Sequence, residues 1–208
     1  MKIVNLTGTI ELLSGLHIGG GDDTMKIGGI DNGVIKDVNS GEPYIPGSSL
    51  KGKMRSLLEW NIGVVGIGDG EPFTSKLLNN KIFDDTKKKN DAITLLKLFG
   101  DKEGKFGITR ISVGDCQLAE ESKGKVLSEA KYENVIDRQN GTAKHPRQTE
   151  RVPAGIKFNF DIRVKVLDED NEKELLDMLK KGLELIEMDY LGGNGSRGYG
   201  RVKFNLSK

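Results

Sequence analysis

The sequence is poor in the residues that form disulfides and zinc sites. Its 208 residues include one cysteine, Cys116, and two histidines, His17 and His145. One cysteine excludes a disulfide within the chain and is typical of a reducing compartment. So few thiol and imidazole ligands argue against a structural zinc site of the usual kind. No stretch approaches the roughly 18–20 apolar residues of a membrane helix. We therefore expect a cytoplasmic protein without membrane attachment.

The chain also lacks a large charge of either sign. Lys and Arg number 32 and Asp and Glu number 31, for a formal net charge of +1. The distribution is more informative than the total, because basic residues gather at 51–55 and 138–151 while acidic residues gather at 168–177 and 184–189. A near-neutral protein with a basic stripe can bind RNA on one face and protein on another.

A segment rich in serine and lysine carries the strongest functional signal. Residues 46–55 read Pro-Gly-Ser-Ser-Leu-Lys-Gly-Lys-Met-Arg, a turn followed by the start of an amphipathic helix. Free N–H groups at a helix N-terminus hold phosphates, and nearby cations make a polyphosphate the better ligand. We predict that this segment binds an RNA backbone; a solvated helix surface is an equally good interpretation of the cations alone. The serines are expected to cap the helix, to contact phosphate, or both. The predicted contacts are Ser48, Ser49, Lys51, Lys53 and Arg55.

Hydrophobic periodicity predicts an α+β protein. The predicted elements, in the order strand, helix, strand, strand, helix, strand, are residues 4–12, a helix after Ser48 or Ser49, and residues 108–118, 156–166, 171–187 and 199–206. This order is the ferredoxin-like arrangement, an antiparallel sheet with both helices on one face, and it is also the RNA-recognition topology. We predict one domain, residues 1–208. Its three insertions, which at this length are typically functional or disordered, are at about 13–47, 61–105 and 119–155.

Asp31 is the candidate catalytic residue. It lies in the glycine-rich run 27–33, where Asp-Asn-Gly is also strong turn chemistry, so a plain turn is the alternative. RNA can be cleaved when a 2′-hydroxyl attacks the adjacent phosphate, and this attack requires a proton acceptor. A carboxylate can accept that proton or hold Mg²⁺ or a similar cation. The residues alone leave both interpretations open.

A second glycine-rich run lies near the C-terminus. Residues 193–198 fit G-x-G-x-x-G, but they follow a helix and precede a strand, the reverse of a dinucleotide-binding fingerprint. We predict a loop whose N–H groups approach a phosphate, aided by Arg197, Asn194 and Ser196; a plain loop is the alternative. His17 precedes another glycine triplet and is expected to touch RNA or to pack.

The remaining candidates carry weaker signals. Asp101 and Glu150 are carboxylates without a clear constellation, and Cys116 is expected in the core. The insertion 119–155 has no strong apolar period. We predict that it is a hairpin-like projection, mobile without RNA or neighbouring copies. Its basic residues include Arg138, Lys144, Arg147 and Arg151.

Four of these motifs, in this order, resemble a known family. Residues 14–21, 29–32, 44–55 and the C-terminal glycine-rich loop are similar to motifs of the RAMP superfamily of CRISPR proteins. They most resemble those of the repeated backbone subunit of type III-A (Csm) effector complexes. The resemblance covers the first sixty residues and residues 106–205, whereas residues 61–105 carry little of it. Asn32-Gly33 stands where relatives often have a proline.

The resemblance implies a modified ferredoxin-like fold with a thumb-like hairpin, repeated along a guide RNA. It implies that Asp31 cleaves target RNA at regular intervals and binds the Mg²⁺ or other divalent cation that this requires. The implied partners are guide (CRISPR) RNA, target RNA, copies of the chain itself and other Csm-complex subunits. The implied RNA-binding residues are His17, Ser48, Ser49, Lys51, Lys53, Arg55, Arg138, Arg147, Arg151, Asn194, Ser196 and Arg197.

Two other functions stay open at this point. A non-catalytic RNA-binding scaffold would not need the Asp31 carboxylate. A guide-processing endoribonuclease of the same superfamily commonly uses histidine chemistry, for which only His17 and His145 are present.

Overall fold

The computed structural model describes residues 1–20, 32–68 and 70–207. Along the chain, its strands and α-helices are β1 (Lys2–Leu12), α1 (Gly47–Ile62), α2 (Thr86–Phe99), β2 (Ile111–Val113), β3 (Glu129–Ile136), β4 (Ala143–Arg151), β5 (Lys157–Val166), α3 (Glu172–Met188) and β6 (Val202–Leu206). None of the α-helices in these ranges has the length and apolar character needed to span a bilayer.

The main sheet has four strands in the order β2-β5-β1-β6. All of its neighbouring strands are antiparallel, and Ile10 in the central strand β1 lies opposite both Phe158 of β5 and Phe204 of β6. With α1 and α3 as the two crossover helices, this is the strand order of a ferredoxin-like core. The predicted fold class is confirmed.

One face of this sheet is covered by α1 and α3. The helices bury apolar side chains at helical spacing: Leu50, Met54 and Leu58 from α1, and Leu175, Leu179, Leu183 and Ile186 from α3. The two helices approach closely at Gly182, where an added Cβ would lie 2.3 Å from the Cγ of Met54. Glycine at this position therefore lets the two helices pack together.

The opposite face of the sheet is open and polar. Outward positions alternate with buried ones along β1 and β5, as the two-residue period of a strand requires. The outward residues include Asn5, Thr7, Thr9, Asn159, Asp161 and Arg163. No aromatic side chain occupies an outward position of the four described strands. The face thus lacks the stacking platform with which RNA-recognition domains bind bases.

Helix α2 was not predicted from the sequence; it lies in the insertion 61–105. Asp85 caps it by accepting hydrogen bonds from the backbone N–H groups of Lys87 and Lys88. Its buried face packs against α1 and α3. That face includes Ala92, Leu95, Leu96 and Phe99. The spacing of these four residues is the helical signature that our prediction overlooked.

The strands β3 and β4 form a separate two-stranded hairpin. They pair from Glu129 and Arg151 at the base to Ile136 and Ala143 near the turn, with a register irregularity after Glu133. This hairpin confirms the thumb-like projection predicted within residues 119–155. Its mobility, and the extent of one domain over 1–208, stay predictions.

Two predicted strands are shorter in the structure. The strand predicted at 108–118 is regular only in β2, because the ladder is interrupted at Gly114 and Asp115 and continues only as isolated bridges at Cys116 and Leu118. The strand predicted at 199–206 begins at Val202. Gly198 and Gly200 precede it with φ values of 84° and 73°, which an extended strand does not accommodate.

Candidate nucleic-acid interface

Asp31, the predicted catalytic and metal-binding residue, lies outside the described residues. The chain on either side of segment 21–31 is paired. Gly19 and Val34 form an antiparallel bridge, and the N–H of Ile35 donates to the carbonyl oxygen of Ile18 at 2.8 Å. The two ends of the segment that contains Asp31 are therefore held side by side.

Glu150 ties the residues that follow Asp31 to strand β4. Its buried carboxylate accepts hydrogen bonds from the Val34 N–H at 2.9 Å, the Lys36 Nζ at 2.6 Å and the Ser128 hydroxyl at 2.5 Å. Its own backbone N–H donates to the carbonyl oxygen of Asn32 at 2.9 Å. Burial raises the pKa of this carboxyl, but the hydrogen bonds from Lys36, Ser128 and Val34 outweigh burial and leave the pKa below its usual value. Glu150 is an anchor of the loop.

His17 joins the base of the hairpin to the C-terminal glycine-rich loop. Its Nδ1 lies 2.7 Å from the carbonyl oxygen of Glu150, so Nδ1 carries the proton because a carbonyl only accepts. Its own carbonyl oxygen accepts the N–H of Gly193 at 2.8 Å. Gly192, at φ 76°, passes so close that an added Cβ would lie 2.4 Å from the His17 oxygen. This half-buried histidine packs where three segments meet, and its contact with RNA stays a prediction.

The predicted serine cap of α1 is wrong. The N-cap residue is Pro46, and no side chain caps the helix end from that position. Instead the N–H of Gly47 donates to Oδ1 of Asp115 at 2.8 Å. Ser48 is exposed and Ser49 is half-buried. Their predicted contact with phosphate stays a prediction. The Asp115 carboxylate already satisfies one N–H of this helix end, and its charge opposes a phosphate there.

The three cations of α1 have different surroundings. Lys53 pairs with Asp189 at 2.7 Å and lies 3.7 Å from the ring centroid of Tyr190. Arg55 pairs with Glu59 at 2.8 Å and also donates to the carbonyl oxygen of Phe73 at 2.8 Å.

Lys51 has no carboxylate partner in the described part of the chain. Burial lowers the pKa of the Lys51 ammonium, and the nearby charges of Arg55 and Lys165 lower it further. A phosphate would relieve the repulsion among these cations. Of the three cations of α1 that are predicted contacts, Lys51 is thus the one whose charge is least compensated.

A basic groove of ≈ 370 Å³ lies between the hairpin and the C-terminal loop. It is lined by Lys131, Glu133, Asn134, Val135, His145, Arg147 and Arg197. The structure thus brings together two predicted contacts, Arg147 and Arg197, which lie fifty positions apart in the sequence. The sequence analysis missed Lys131. The signal that could have found it is its place on the same face of β3 as Glu129 and Glu133.

Four other predicted RNA contacts lie on the hairpin or in the C-terminal loop and do not line this basic groove. Arg138 is exposed at the turn of the hairpin, and Ser196 is exposed in the C-terminal loop, next to Asn194 in a left-handed conformation (φ 58°). Arg151 pairs with Glu129 at 2.6 Å, and its guanidinium carbon lies 5.1 Å from the ring centroid of Tyr199. Arg151 therefore holds the hairpin base, and RNA contact by any of these residues stays a prediction.

A larger groove of ≈ 800 Å³ lies among α1, α2 and α3. Its charged lining combines both signs: Lys87, Lys181, Asp91, Glu174 and Asp177. Because these charges do not favour an anion, the smaller groove is the better site for an RNA backbone.

The described ranges contain no group of three or more His, Cys, Asp or Glu that could hold a metal ion. Asp101 accepts the N–H groups of Ser75, Glu103 and Lys105, which makes it a loop anchor. Cys116 is buried, and burial, together with the charge of Asp115, raises the pKa of its thiol to about 12. Neither residue adds a ligand set to the site.

The sequence profile of the RAMP superfamily matches residues 9–203. Together with the ferredoxin-like core, this match shows that the chain belongs to the RAMP superfamily. The resemblance of its motifs to that superfamily is confirmed.

Several curated relatives are named CRISPR system Cms endoribonuclease Csm3. The chain is 38% identical to the protein of Enterococcus italicus, over 97% of this chain and 89% of the relative. It is 39% identical to that of Streptococcus thermophilus, over 99% of this chain and 88% of the relative. It is 42% identical to that of Methanocaldococcus jannaschii, over 97% of this chain and 78% of the relative.

Two solved structures share the fold. A crystal structure of Methanopyrus kandleri Csm3 superposes with a TM-score of 0.66 at 24% identity, covering 99% of this chain and 75% of that one. A subunit of the type III-B Cmr-beta complex bound to cognate target RNA superposes with a TM-score of 0.67 at 18% identity, covering 99% of this chain and 60% of that one.

Proposed function

We propose that the chain is a guide-RNA-binding backbone subunit of a type III-A CRISPR complex and that it cleaves guide-paired target RNA. The chain is an endoribonuclease. The observation that carries this conclusion is 38–42% identity, over nearly the whole chain, to three relatives named as CRISPR endoribonucleases.

Asp31 is the proposed catalytic residue. In the proposed reaction a ribose 2′-hydroxyl oxygen attacks the adjacent phosphorus and gives its proton to the Asp31 carboxylate, while the bond to the 5′ oxygen breaks and that oxygen takes up a proton from solvent water. The products are a cyclic phosphate and a 5′-hydroxyl. The supporting geometry is the anchoring of the flanking residues: Asn32 and Val34 are hydrogen-bonded to Glu150. Fixed residues next to Asp31 can hold its carboxylate within reach of the attacking 2′-hydroxyl.

RNA is bound through its backbone. The basic groove and Lys51 supply the cations, and the open face of the sheet carries no aromatic stacking platform. Sequence specificity therefore comes from pairing between guide and target, because phosphate contacts carry no sequence information. Binding of this kind weakens steeply as salt concentration rises.

Copies of the chain line up along the guide, beside other subunits of the Csm complex. The hairpin supports this arrangement because it exposes large apolar side chains on a projection. Tyr132, Val135 and Ile136 are 65%, 52% and 68% exposed. Such a patch fits a neighbouring copy or an unstacked base of the RNA.

A divalent cation such as Mg²⁺ is the proposed cofactor. Asp31 is the one residue assigned to it, and the described residues supply no cluster that fits a metal on its own. No step of the reaction is therefore assigned to the metal. A chelator should abolish cleavage. A cleavage rate unchanged by chelator would contradict the metal requirement, but it would not contradict the role of Asp31 as proton acceptor.

The deciding experiment uses the Asp31→Asn variant assembled with guide RNA and the other subunits. Losing the proton acceptor should lower the single-turnover rate on paired target RNA by about 10²–10⁴-fold, with target binding unchanged. Asp37→Asn is the matched control, since Asp37 lies in the same connection and only closes a turn with Asn39 and Ser40. Cutting by Asp31→Asn at the control's rate contradicts the assignment. Cleavage of unpaired precursor RNA by the lone chain would instead support guide processing.

A further inference from the structure

The basic groove contains one carboxylate, and it takes the donors that a phosphate would use. Glu133 Oε2 lies 2.9 Å from Nη1 of Arg197. Its Oε1 lies 3.4 Å from Nζ of Lys131 and accepts the hydroxyl of Tyr199 at 3.3 Å. The side chain of Glu133 is 19% exposed, so this ion-pair cluster is partly shielded from water.

These donors come from two elements that would both border a bound strand. Lys131 belongs to β3, whereas Arg197 and Tyr199 belong to the C-terminal glycine-rich loop. Lys131 Nζ also donates to the carbonyl oxygen of Arg197 and lies 4.5 Å from the ring centroid of Tyr199. A carboxylate and a phosphodiester both accept charge-assisted hydrogen bonds in this geometry.

Glu133 is ionised at neutral pH. Burial raises the pKa of its carboxyl, but the hydrogen bond from Lys131 and the charge of Arg197 outweigh burial, so that the pKa lies below its usual value. The charge of Arg197 is thereby neutralised by the chain itself. Arg147, exposed in the same groove, has no carboxylate partner among the described residues.

We propose that the Glu133 carboxylate occupies a phosphate subsite formed by Lys131, Arg197 and Tyr199 when RNA is absent, and that it leaves when an RNA backbone phosphate enters. This inference rests on the proposed function, because the entering phosphate belongs to the guide. A free copy then binds RNA weakly at this subsite, since each binding event must first break an internal ion pair.

The test compares two variants of the full chain that both raise the net charge by one. Glu133→Gln removes the competing charge, and Glu121→Gln removes a carboxylate paired with Lys157, far along the sequence from the groove. The probe is a fluorescently labelled oligouridylate, whose affinity is measured by anisotropy over a range of salt concentrations. Glu133→Gln should bind about three- to fivefold more tightly than Glu121→Gln, the gain expected from releasing a partly exposed ion pair.

The salt dependence identifies the mechanism. Because Glu133 leaves when the phosphate enters, the wild type and both variants neutralise the same phosphates, so the slope of log affinity against log salt should be the same for all three proteins. A slope steeper by about 0.7 for Glu133→Gln would mean that Glu133 stays in place and blocks one phosphate contact in the wild type, which contradicts displacement. In an Arg197→Gln background the advantage of Glu133→Gln should shrink to that of Glu121→Gln.

The possible outcomes separate this inference from the proposed function. Equal affinities for the two single variants, with clear RNA binding by the wild type, overturn the inference and leave the function intact. Binding by none of the proteins at low salt overturns both. A gain that survives Arg197→Gln also overturns the inference, because Glu133 would then act without Arg197.

Discussion

The main sheet and the hairpin are both antiparallel, but they place their apolar residues in opposite environments. In the sheet, Ile10, Phe158 and Ile162 are 0% exposed. In the hairpin, Tyr132 and Ile136 are 65% and 68% exposed. An isolated two-stranded hairpin is marginally stable in water. The comparison indicates that the apolar residues of the sheet stabilise the fold of the chain, whereas those of the hairpin are exposed and available to a partner.

Charged contacts hold the hairpin where burial does not. Glu129 pairs with Arg151 at its base, Glu133 joins it to Arg197, and Asp137 pairs with Lys144 near the turn. Each pair is exposed on one partner only, and pairs near the surface of this kind contribute about 0–1 kcal/mol each. The hairpin should therefore respond to mutation much less than the sheet does.

The largest difference should come from removing an aromatic ring in each region. Phe158→Ala leaves a cavity in the core and should lower the free energy of unfolding by about 3–5 kcal/mol. Tyr132→Ala removes an exposed ring and should change it by no more than about 0.5 kcal/mol. Urea denaturation of both variants checks this. Comparable losses would mean that the hairpin belongs to the core.

Breaking the buried ion pair between Arg110 and Asp170 should cause the next largest loss of unfolding free energy. Arg110 and Asp170 pair at 2.9 Å with side chains that are 2% and 0% exposed. Asp170→Asn leaves the Arg110 charge buried and should cost about 3 kcal/mol of unfolding free energy. Asp137→Asn, which breaks the ion pair with the exposed Lys144 in the hairpin, should cost less than about 1 kcal/mol. Denaturation midpoints at neutral pH give both values, and equal costs would contradict the contrast.

Acid should weaken the core through the same pair. Burial raises the pKa of Asp170, but the hydrogen bonds from Arg110, Leu167 and Lys97 lower it from 3.8 to about 2. A folded pKa below the unfolded value means stability that is fully present above about pH 4 and is lost as pH falls toward 2. The loss should be about 2 kcal/mol. The Asp170→Asn variant should not show this acid-dependent loss of stability. If its stability varied with pH as that of the wild type does, Asp170 would not be the cause of the loss.

The smallest effect on the monomer should come from the apolar patch of the hairpin. Replacing Tyr132, Val135 and Ile136 with serine should leave the midpoint of unfolding within experimental scatter, because these side chains are exposed. Ordered assembly along guide RNA should be impaired. Hydrogen exchange gives an independent measure: hairpin amides should exchange far faster than those of β1 and β5 in the free chain. Strong protection of residues 132–147 would show that the hairpin is not a mobile thumb.

The core of the fold could be predicted because its signals are local. The unbroken alternation of β5 and the helical spacing of α3 are each contained in one short segment. The same reasoning could have found α2, and the ion pair of Arg55 with Glu59 has the i, i+4 spacing of a helix pair.

The site could be predicted only in part, because its contacts join distant segments. Glu150 reaches Val34, Asp115 reaches Gly47 and Lys53 reaches Asp189. No periodicity within one segment encodes such a contact. The motifs located the basic residues, but the neutralisation of Arg197 by Glu133 follows from the packing of the hairpin alone.

The pairing of β1 has a consequence for how the protein is made. This first strand has both of its neighbours in β5 and β6, within residues 157–206. A nascent chain on the ribosome therefore carries an unpaired, partly apolar strand while the residues between β1 and β5 are being made. The sheet closes only after residue 206 emerges, and the many non-local pairings predict slow folding. Until that residue has emerged, the apolar side chains of β1 form an exposed surface of the kind that chaperones protect.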